Sequence, residues 1–174
     1  MAAASNDLGP HYSLNGLRIF VVEDNRFVLD LFCRILNSFG ANEVGKFDLA
    51  EDALREFEKN SADILLVDWE MQPMSGIDLA RKVRSEGAGQ SCAVPIIMIT
   101  GHTALNEVQT ARDSGITEIL SKPLAPKVLY DRIVSVIERP RPFIRTHSFI
   151  GPDRRRREVQ FEGEERRAAV DGAA

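Results

Sequence analysis

Short aliphatic runs alternate along the chain with segments whose apolar residues recur at helical spacing. Four runs are apolar at consecutive positions, as in strands covered by helices on both faces, and they occupy residues 17–22, 64–67, 96–99 and 116–120. A weaker fifth run occupies residues 42–47. This alternation predicts a doubly wound α/β domain with five parallel strands, five helices and right-handed crossovers.

The segments between these runs have the periodicity of helices with one buried face. The first and the last carry the clearest stripes, which are Phe27, Leu31, Ile35 and Leu36, and later Val128, Leu129, Ile133, Val136 and Ile137. Between residues 48 and 51, Asp-Leu-Ala-Glu is typical of a capping box and predicts a helix that continues to about Lys59. Each helix is expected to pack its apolar stripe against the sheet.

Composition and charge indicate one acidic domain followed by a basic extension. The chain has 174 residues, of which 44% are hydrophobic, enough for one core of ordinary size. Residues 1–138 contain 13 Lys and Arg against 20 Asp and Glu, whereas residues 139–174 contain 9 against 6. We expect an N-terminal tail over residues 1–15, a globular domain over 16–139 and a Pro/Arg-rich extension over 140–174 that holds no separate effector domain.

The sequence does not direct the chain to a membrane or to an oxidising compartment. No stretch approaches the about 20 consecutive apolar residues of a membrane span, and the first residues lack the basic and apolar regions of a signal peptide. Cys33 and Cys92 lie far apart, without the spacing of a zinc site or of a disulfide framework. We expect a cytoplasmic protein that has no membrane partner.

Polar side chains follow four of the predicted strands. Glu23 and Asp24 come after the first strand, Asp68 after the third, Thr100 after the fourth and Lys122 after the fifth. Because the carboxyl ends of parallel strands meet at one edge of the sheet, we expect these side chains to lie together. Three carboxylates at one edge repel each other unless a cation neutralises them, and an all-oxygen ligand set favours Mg²⁺. With a hydroxyl and an ammonium beside a carboxylate nucleophile, the arrangement predicts in-line phosphoryl transfer.

Four motifs at these strand ends give the chain a family resemblance. They are Ile19-Phe-Val-Val-Glu-Asp24, Leu65-Leu-Val-Asp68-Trp-Glu-Met-Gln-Pro-Met-Ser-Gly76, Ile96-Ile-Met-Ile-Thr100-Gly and Ser121-Lys122-Pro123. Over about residues 16–139 the sequence resembles the receiver domain of a two-component response regulator. The resemblance implies a flavodoxin-like (βα)5 fold whose five parallel strands lie in the order 2-1-3-4-5.

The resemblance also implies the roles of the acidic residues. Asp68 would accept a phosphoryl group from a phosphohistidine. Asp24 and Glu23 would hold Mg²⁺ directly or through water, with Asp68 and the backbone carbonyl of Glu70 as further ligands. Such a chain is a phosphoacceptor in a phosphorelay rather than an enzyme that turns over a separate substrate.

The same resemblance assigns the switch and the neighbours of the phosphate. Lys122 would pair with the acceptor and then with the phosphate, and Thr100 would swing inward to bond a phosphate oxygen. The peptide bond before Pro123 is cis in this family. Glu70 and His102 occupy the two variable places that border the phosphate and tune its lifetime.

Three positions depart from the family pattern. The proline usually found four residues after the acceptor is Gln72 here, with Pro73 one place later, which predicts a different loop shape. Ile119 stands where a switch aromatic is expected, and Leu124 where Phe is common. The signal would therefore cross the face near the fifth strand by aliphatic repacking or by loop movement.

The basic extension carries aromatic residues among its arginines. The candidate docking residues are Phe143, Phe149, Arg154, Arg155, Arg156 and Arg157. Three interpretations stay open: docking onto a protein partner or onto the acidic body, absence of compact structure, and stacking against single-stranded nucleic acid. Nucleic acid is the least favoured of these partners, because Glu162, Glu164 and Glu165 dilute the positive charge.

We interpret the chain as a stand-alone response regulator receiver. Its expected partners are a sensor histidine kinase or a histidine phosphotransfer protein, a downstream protein target, and a second copy in a phosphorylation-dependent homodimer. The alternative is a phosphate-independent adaptor, which the departures at Gln72 and Ile119 leave open. A phosphatase of the haloacid dehalogenase type is disfavoured, because the DxD spacing that it needs after the first strand is absent from Glu23-Asp24-Asn25.

Overall fold

Five strands and five helices alternate along the chain, as the sequence predicted. The computed structural model describes residues 12–85, 92–101, 105–146 and 149–153. The strands are β1 (Arg18–Val22), β2 (Glu43–Phe47), β3 (Ile64–Asp68), β4 (Ile96–Thr100) and β5 (Glu118–Ser121). The helices are α1 (Arg26–Ser38), α2 (Ala50–Lys59), α3 (Gly76–Arg84), α4 (Leu105–Asp113) and α5 (Pro126–Glu138).

The five strands form one parallel sheet in the order β2-β1-β3-β4-β5, which confirms the predicted doubly wound, flavodoxin-like topology. Val22 pairs with Val67, Asp68 with Ile99, and Thr100 with Ser121. Val22, Asp68, Thr100 and Ser121 are the last residues of β1, β3, β4 and β5, so this register brings the polar residues at the strand ends to one edge.

The core consists of one layer of side chains on each face of the sheet. Helices α2, α3 and α4 pack on one face through residues such as Phe57, Leu79 and Ala111. Helices α1 and α5 pack on the other face through Leu36 and Ile133. Because helices cover both faces, every residue of β3 and of β4 is buried, as their unbroken apolar runs predicted.

The predicted apolar stripe of α1 is partly wrong. Phe27 is 81% exposed and Leu31 is 47% exposed, and the buried residues of this helix are Leu29, Phe32, Cys33 and Leu36. At about 100° per residue, Phe27 lies about half a turn around the helix from Leu36, so the two cannot share one buried face. In α5, Val128 is exposed as well, whereas Leu129, Ile133 and Val136 are buried as predicted.

The predicted capping box of α2 is also wrong. This helix begins at Ala50 with Leu49 at the N-cap, and no side chain caps it. The Asp48 carboxylate instead accepts hydrogen bonds from Nε and Nη2 of Arg26, at 3.0 and 2.8 Å. In α1 the cap is made as usual, because Asn25 Oδ1 accepts from the backbone N–H of Phe27 at 3.1 Å.

A hairpin that the sequence did not predict follows α5. Its strands are β6 (Phe143–Arg145) and β7 (Ile150–Pro152), which pair antiparallel and lie outside the five-stranded sheet. The division into residues 1–15, 16–139 and 140–174 stays a prediction. Within the described part of the chain, no helix is both long and apolar enough to cross a membrane.

Candidate functional site

The polar residues that follow the strands meet at the carboxyl-terminal edge of the sheet. Glu23 follows β1, Asp68 ends β3, Thr100 ends β4 and Lys122 follows β5. Glu23 is 3% exposed and Asp68 8% exposed, and Thr100 is also buried. Asp24 is exposed beside them. The site therefore has a buried floor and one exposed acidic side.

Lys122 joins two of the buried carboxylates. Its Nζ lies 2.8 Å from Oδ1 of Asp68 and 2.9 Å from Oε2 of Glu23. These contacts are short charge-assisted bonds, and the near-complete burial of both carboxylates screens them from water. Sequence reasoning predicted the pairing of Lys122 with Asp68 but missed the contact with Glu23, which no local sequence signal reveals.

The environment opposes the ionisation of Glu23 and favours the charged form of Lys122. Burial raises the pKa of Glu23, and the Asp68 charge raises it further, while the hydrogen bond from Lys122 lowers it in part. Burial by itself would lower the pKa of Lys122. Its hydrogen bonds to Asp68 and Glu23 outweigh that effect, so that its pKa is raised. At the floor of the site, two carboxylates thus share one ammonium.

Three carboxylates can reach one cation at this edge. One carboxylate oxygen from each of Glu23, Asp24 and Asp68 lies within 4.8 Å of the other two. Hard oxygen ligands with an exposed side, where water completes the coordination, suit Mg²⁺. The residues present thus fit the Mg²⁺ ion predicted from the sequence.

The backbone after Asp68 is held by a close approach of α3. The helix starts at Gly76, whose N–H donates to the carbonyl of Trp69 at 3.1 Å, and Ser75 caps it by accepting from Asp78 N–H at 3.1 Å. A Cβ at Gly76 would lie 2.0 Å from the carbonyl oxygen of Asp68. Glycine is therefore required where the helix meets the acceptor strand.

Thr100 and Lys122 lie on neighbouring strand ends. The N–H of Lys122 donates to the carbonyl of Thr100 at 2.8 Å, which ties the two chain segments together. The peptide bond between Lys122 and Pro123 is cis, as the family resemblance implied. At Gly101, by contrast, no atom of the described residues lies within 4 Å of the position that a Cβ would take.

The other residues singled out from the sequence have different environments. The side chain of Glu70 is exposed, two residues after Asp68. The Gln72–Pro73 peptide bond is cis. Ile119 is half-buried against the core layer of α2, α3 and α4. His102 lies outside the described residues.

The geometry suits the transfer of a group to Asp68. A carboxylate next to a fixed ammonium, a neighbouring hydroxyl and a cation site can stabilise the charge that develops on a phosphoryl group. No pair of side chains typical of a nucleophile activated by histidine occurs among the residues described at this edge.

The chain is similar to known proteins in sequence and in fold. The family model for the response regulator receiver domain matches residues 19–134. The chemotaxis protein CheY1 of Helicobacter pylori is 30% identical over 122 residues, which are 70% of this chain and 97% of that protein. The solved structure of Vibrio cholerae chemotaxis protein CheY4 matches with a TM-score of 0.64 and 26% identity, over 69% of this chain and 98% of that one. A CheY-like receiver domain protein from Methanospirillum hungatei matches with a TM-score of 0.63 and 26% identity, over 70% and 94%.

Proposed function

The chain belongs to the response regulator receiver domain family, and we propose on this basis that Asp68 accepts a phosphoryl group from a phosphohistidine. The observation that carries the proposal is the pair of contacts from Lys122 Nζ to Asp68 and Glu23. A buried carboxylate held by an ammonium at a strand end is a positioned nucleophile rather than a solvated surface acid.

Mg²⁺ is the cofactor that we assign to this site. Glu23, Asp24 and Asp68 would hold it, with the backbone carbonyl of Glu70 as a further ligand. When bound, Mg²⁺ neutralises negative charge on the phosphoryl oxygens and on the carboxylates around them.

Three residues of this chain take part in the transfer of the phosphoryl group. A carboxylate oxygen of Asp68 forms a bond to phosphorus as the P–N bond of the phosphohistidine breaks, and the imidazole leaves with the electron pair of that bond. The ammonium of Lys122 then exchanges its contact with Asp68 for one with a phosphoryl oxygen. The Thr100 hydroxyl donates a hydrogen bond to another of these oxygens.

Phosphorylation then changes which surfaces a partner can bind. The phosphoryl donor is a sensor histidine kinase or a histidine phosphotransfer protein. The phosphorylated chain then binds a downstream protein target or a second copy of itself. Since Ile119 replaces the expected aromatic residue, movement of Thr100 passes to the surface by aliphatic repacking. Glu70 and His102 border the phosphate and set how easily water reaches it. A cytoplasmic location remains a prediction.

The first test of this function is the mass of the intact protein after incubation with phosphoramidate, whose P–N bond resembles that of phosphohistidine. With Mg²⁺, we expect the addition of one phosphoryl group. With EDTA, the addition should be at least about tenfold slower, because no metal ion then offsets the repulsion between the carboxylates and the phosphoryl oxygens. Failure with phosphoramidate and with a phosphorylated histidine phosphotransfer protein would leave the phosphate-independent adaptor as the function.

Replacement of Lys122 by Ala should lower the free energy of unfolding in EDTA by about 2 kcal/mol. Removing one partner of a fully buried pair costs about 3 to 5 kcal/mol, and Lys122 is itself partly exposed. Mg²⁺ should raise the urea midpoint of Lys122→Ala more than that of the wild type, since the ion replaces the missing charge.

Lys127→Ala is the matched control for this prediction, because it removes an exposed ion pair with Asp131 on α5. It should change the free energy of unfolding by less than about 0.5 kcal/mol. If Lys122→Ala unfolds at the wild-type urea concentration in EDTA, Lys122 does not balance the charge of the site.

A further inference from the structure

The hairpin β6–β7 packs onto the sheet edge opposite the phosphoacceptor. Arg141 Nη1 donates to the carbonyl of Thr117, which directly precedes β5, at 3.2 Å. Arg141 Nη2 donates to the carbonyl of Asp153, and Asp153 N–H donates to the carbonyl of Pro142 at 2.7 Å, which closes the base of the hairpin. These contacts lie at the amino-terminal end of β5, whereas Lys122 follows its carboxyl-terminal end.

Arg84, the last residue of α3, is buried beneath this hairpin. It is 4% exposed, and its Nε and Nη1 donate to the carbonyls of Gly115 at 3.0 Å and Cys92 at 2.6 Å. Its guanidinium carbon lies 5.4 Å from the centre of the Phe143 ring, in the geometry of a cation–π contact. Nη2 has no hydrogen-bond partner in the described part of the chain.

Among the described residues, two backbone carbonyls and the Phe143 ring contact this buried cation. Burial lowers the pKa of Arg84 to about 10, so the side chain stays charged at neutral pH. A buried cation is costly unless its neighbours are fixed around it. Phe143 is the neighbour that the hairpin supplies, and it lies beyond the 19–134 segment that the receiver family model matches.

Two glycines allow the backbone of the hairpin to contact the backbone of the α4–β5 connection. A Cβ at Gly151 would lie 2.9 Å from Cα of Gly115, and a Cβ at Gly115 would lie 2.8 Å from the carbonyl oxygen of Ile150. Gly115 also has φ of +80°, a conformation that other residues rarely adopt. The close fit of two backbones indicates a specific docking surface rather than a loose association of apolar side chains.

We propose that residues 141–146 and 149–153 form an intramolecular clasp for which Arg84 and Gly115 are the docking site. The clasp joins the end of α3, the segment before β4 and the connection from α4 to β5. It extends the folded unit through Asp153, where the chain continues into four arginines. Arg154, Arg155, Arg156 and Arg157 lie outside the described residues.

The rate at which trypsin cuts the Arg145–Thr146 bond in the full chain tests this clasp. The bond lies in the hairpin, where the N–H of Thr146 donates to the carbonyl of Phe149 at 2.8 Å. We expect cleavage at least about tenfold slower than in a synthetic peptide of residues 140–153, because the docked hairpin must open first. Gly151→Val and Phe143→Ala should each raise the rate at least about tenfold and lower the urea midpoint.

Phe27→Ala is the matched control, because it removes an exposed ring of the same kind and should leave both the cleavage rate and the urea midpoint unchanged. Incorporation of phosphate from phosphoramidate should be unchanged in Gly151→Val, since that residue lies far from Asp68. The clasp is refuted if the wild-type bond is cut as fast as the peptide. It is also refuted if Gly151→Val, folded by circular dichroism, is cut at the wild-type rate.

Discussion

Asp68→Asn should abolish incorporation of a phosphoryl group from phosphoramidate, with a decrease of at least about 100-fold in the presence of Mg²⁺. The neutral amide oxygen is a poor nucleophile toward phosphorus, so that no acyl phosphate can form. Asn keeps an oxygen that can accept from Lys122, which lies 2.8 Å from Oδ1 of Asp68. The variant should therefore retain the fold, and intact-protein mass with a parallel circular dichroism spectrum separates loss of the acceptor from loss of structure.

Asp131→Asn is the matched control for this substitution. It makes the same chemical change on the exposed face of α5, where Asp131 pairs with Lys127. Its phosphoryl incorporation should equal that of the wild type. A folded Asp68→Asn protein that still gains one phosphoryl group, located by fragmentation on another residue, would show that Asp68 is not the acceptor.

The sheet and its functional edge were predictable because both depend on local signals. Unbroken aliphatic runs such as Ile96–Thr100 identify strands covered on both faces, and the parallel order brings their carboxyl ends to one edge. Residues that follow those runs, including Asp68 and Lys122, then had to meet. The position of a side chain at the site was therefore a consequence of its place after a strand.

The surface of α1 was not predictable in the same way. Phe27 and Leu31 are spaced by one turn, and periodicity alone assigns such residues to a buried stripe. The sheet instead selects Leu29, Phe32 and Leu36, which occupy the opposite side of the helix. The sequence of α1 has apolar residues on two sides of the helix. Periodicity does not reveal which of these two sides packs against the sheet.

The hairpin was missed because its stabilising contacts are far apart in the sequence. The runs Phe143-Ile144 and Phe149-Ile150 are too short to indicate strands by themselves, and isolated two-stranded hairpins are marginal in water. Its partners are Arg84 and Gly115, which belong to other elements of the fold. The sequence signal that remained was the pair of aromatic–aliphatic dipeptides on either side of a polar turn.

Gly76→Ala should lower the free energy of unfolding by about 3 kcal/mol and slow phosphoryl incorporation. The new methyl group would lie 2.0 Å from the carbonyl oxygen of Asp68 and 2.9 Å from Cγ1 of Val67. Both neighbours belong to the buried central strand β3, so the strain can be relieved only by moving α3 or the acceptor itself. Urea unfolding measures the first effect, and the rate of mass gain with phosphoramidate measures the second.

Gly101→Ala is the control for this steric effect, because it replaces another glycine of the site by alanine. Gly101 follows Thr100 at the same edge, and no atom in the described part of the chain lies within 4 Å of the position that a Cβ would take there. Replacement there should change the free energy of unfolding by less than about 1 kcal/mol, because only the freedom of the unfolded chain differs. Equal unfolding curves for Gly76→Ala and Gly101→Ala would mean that α3 does not press on the acceptor strand. The contact at Gly76 would then have no part in fixing Asp68 beside Lys122.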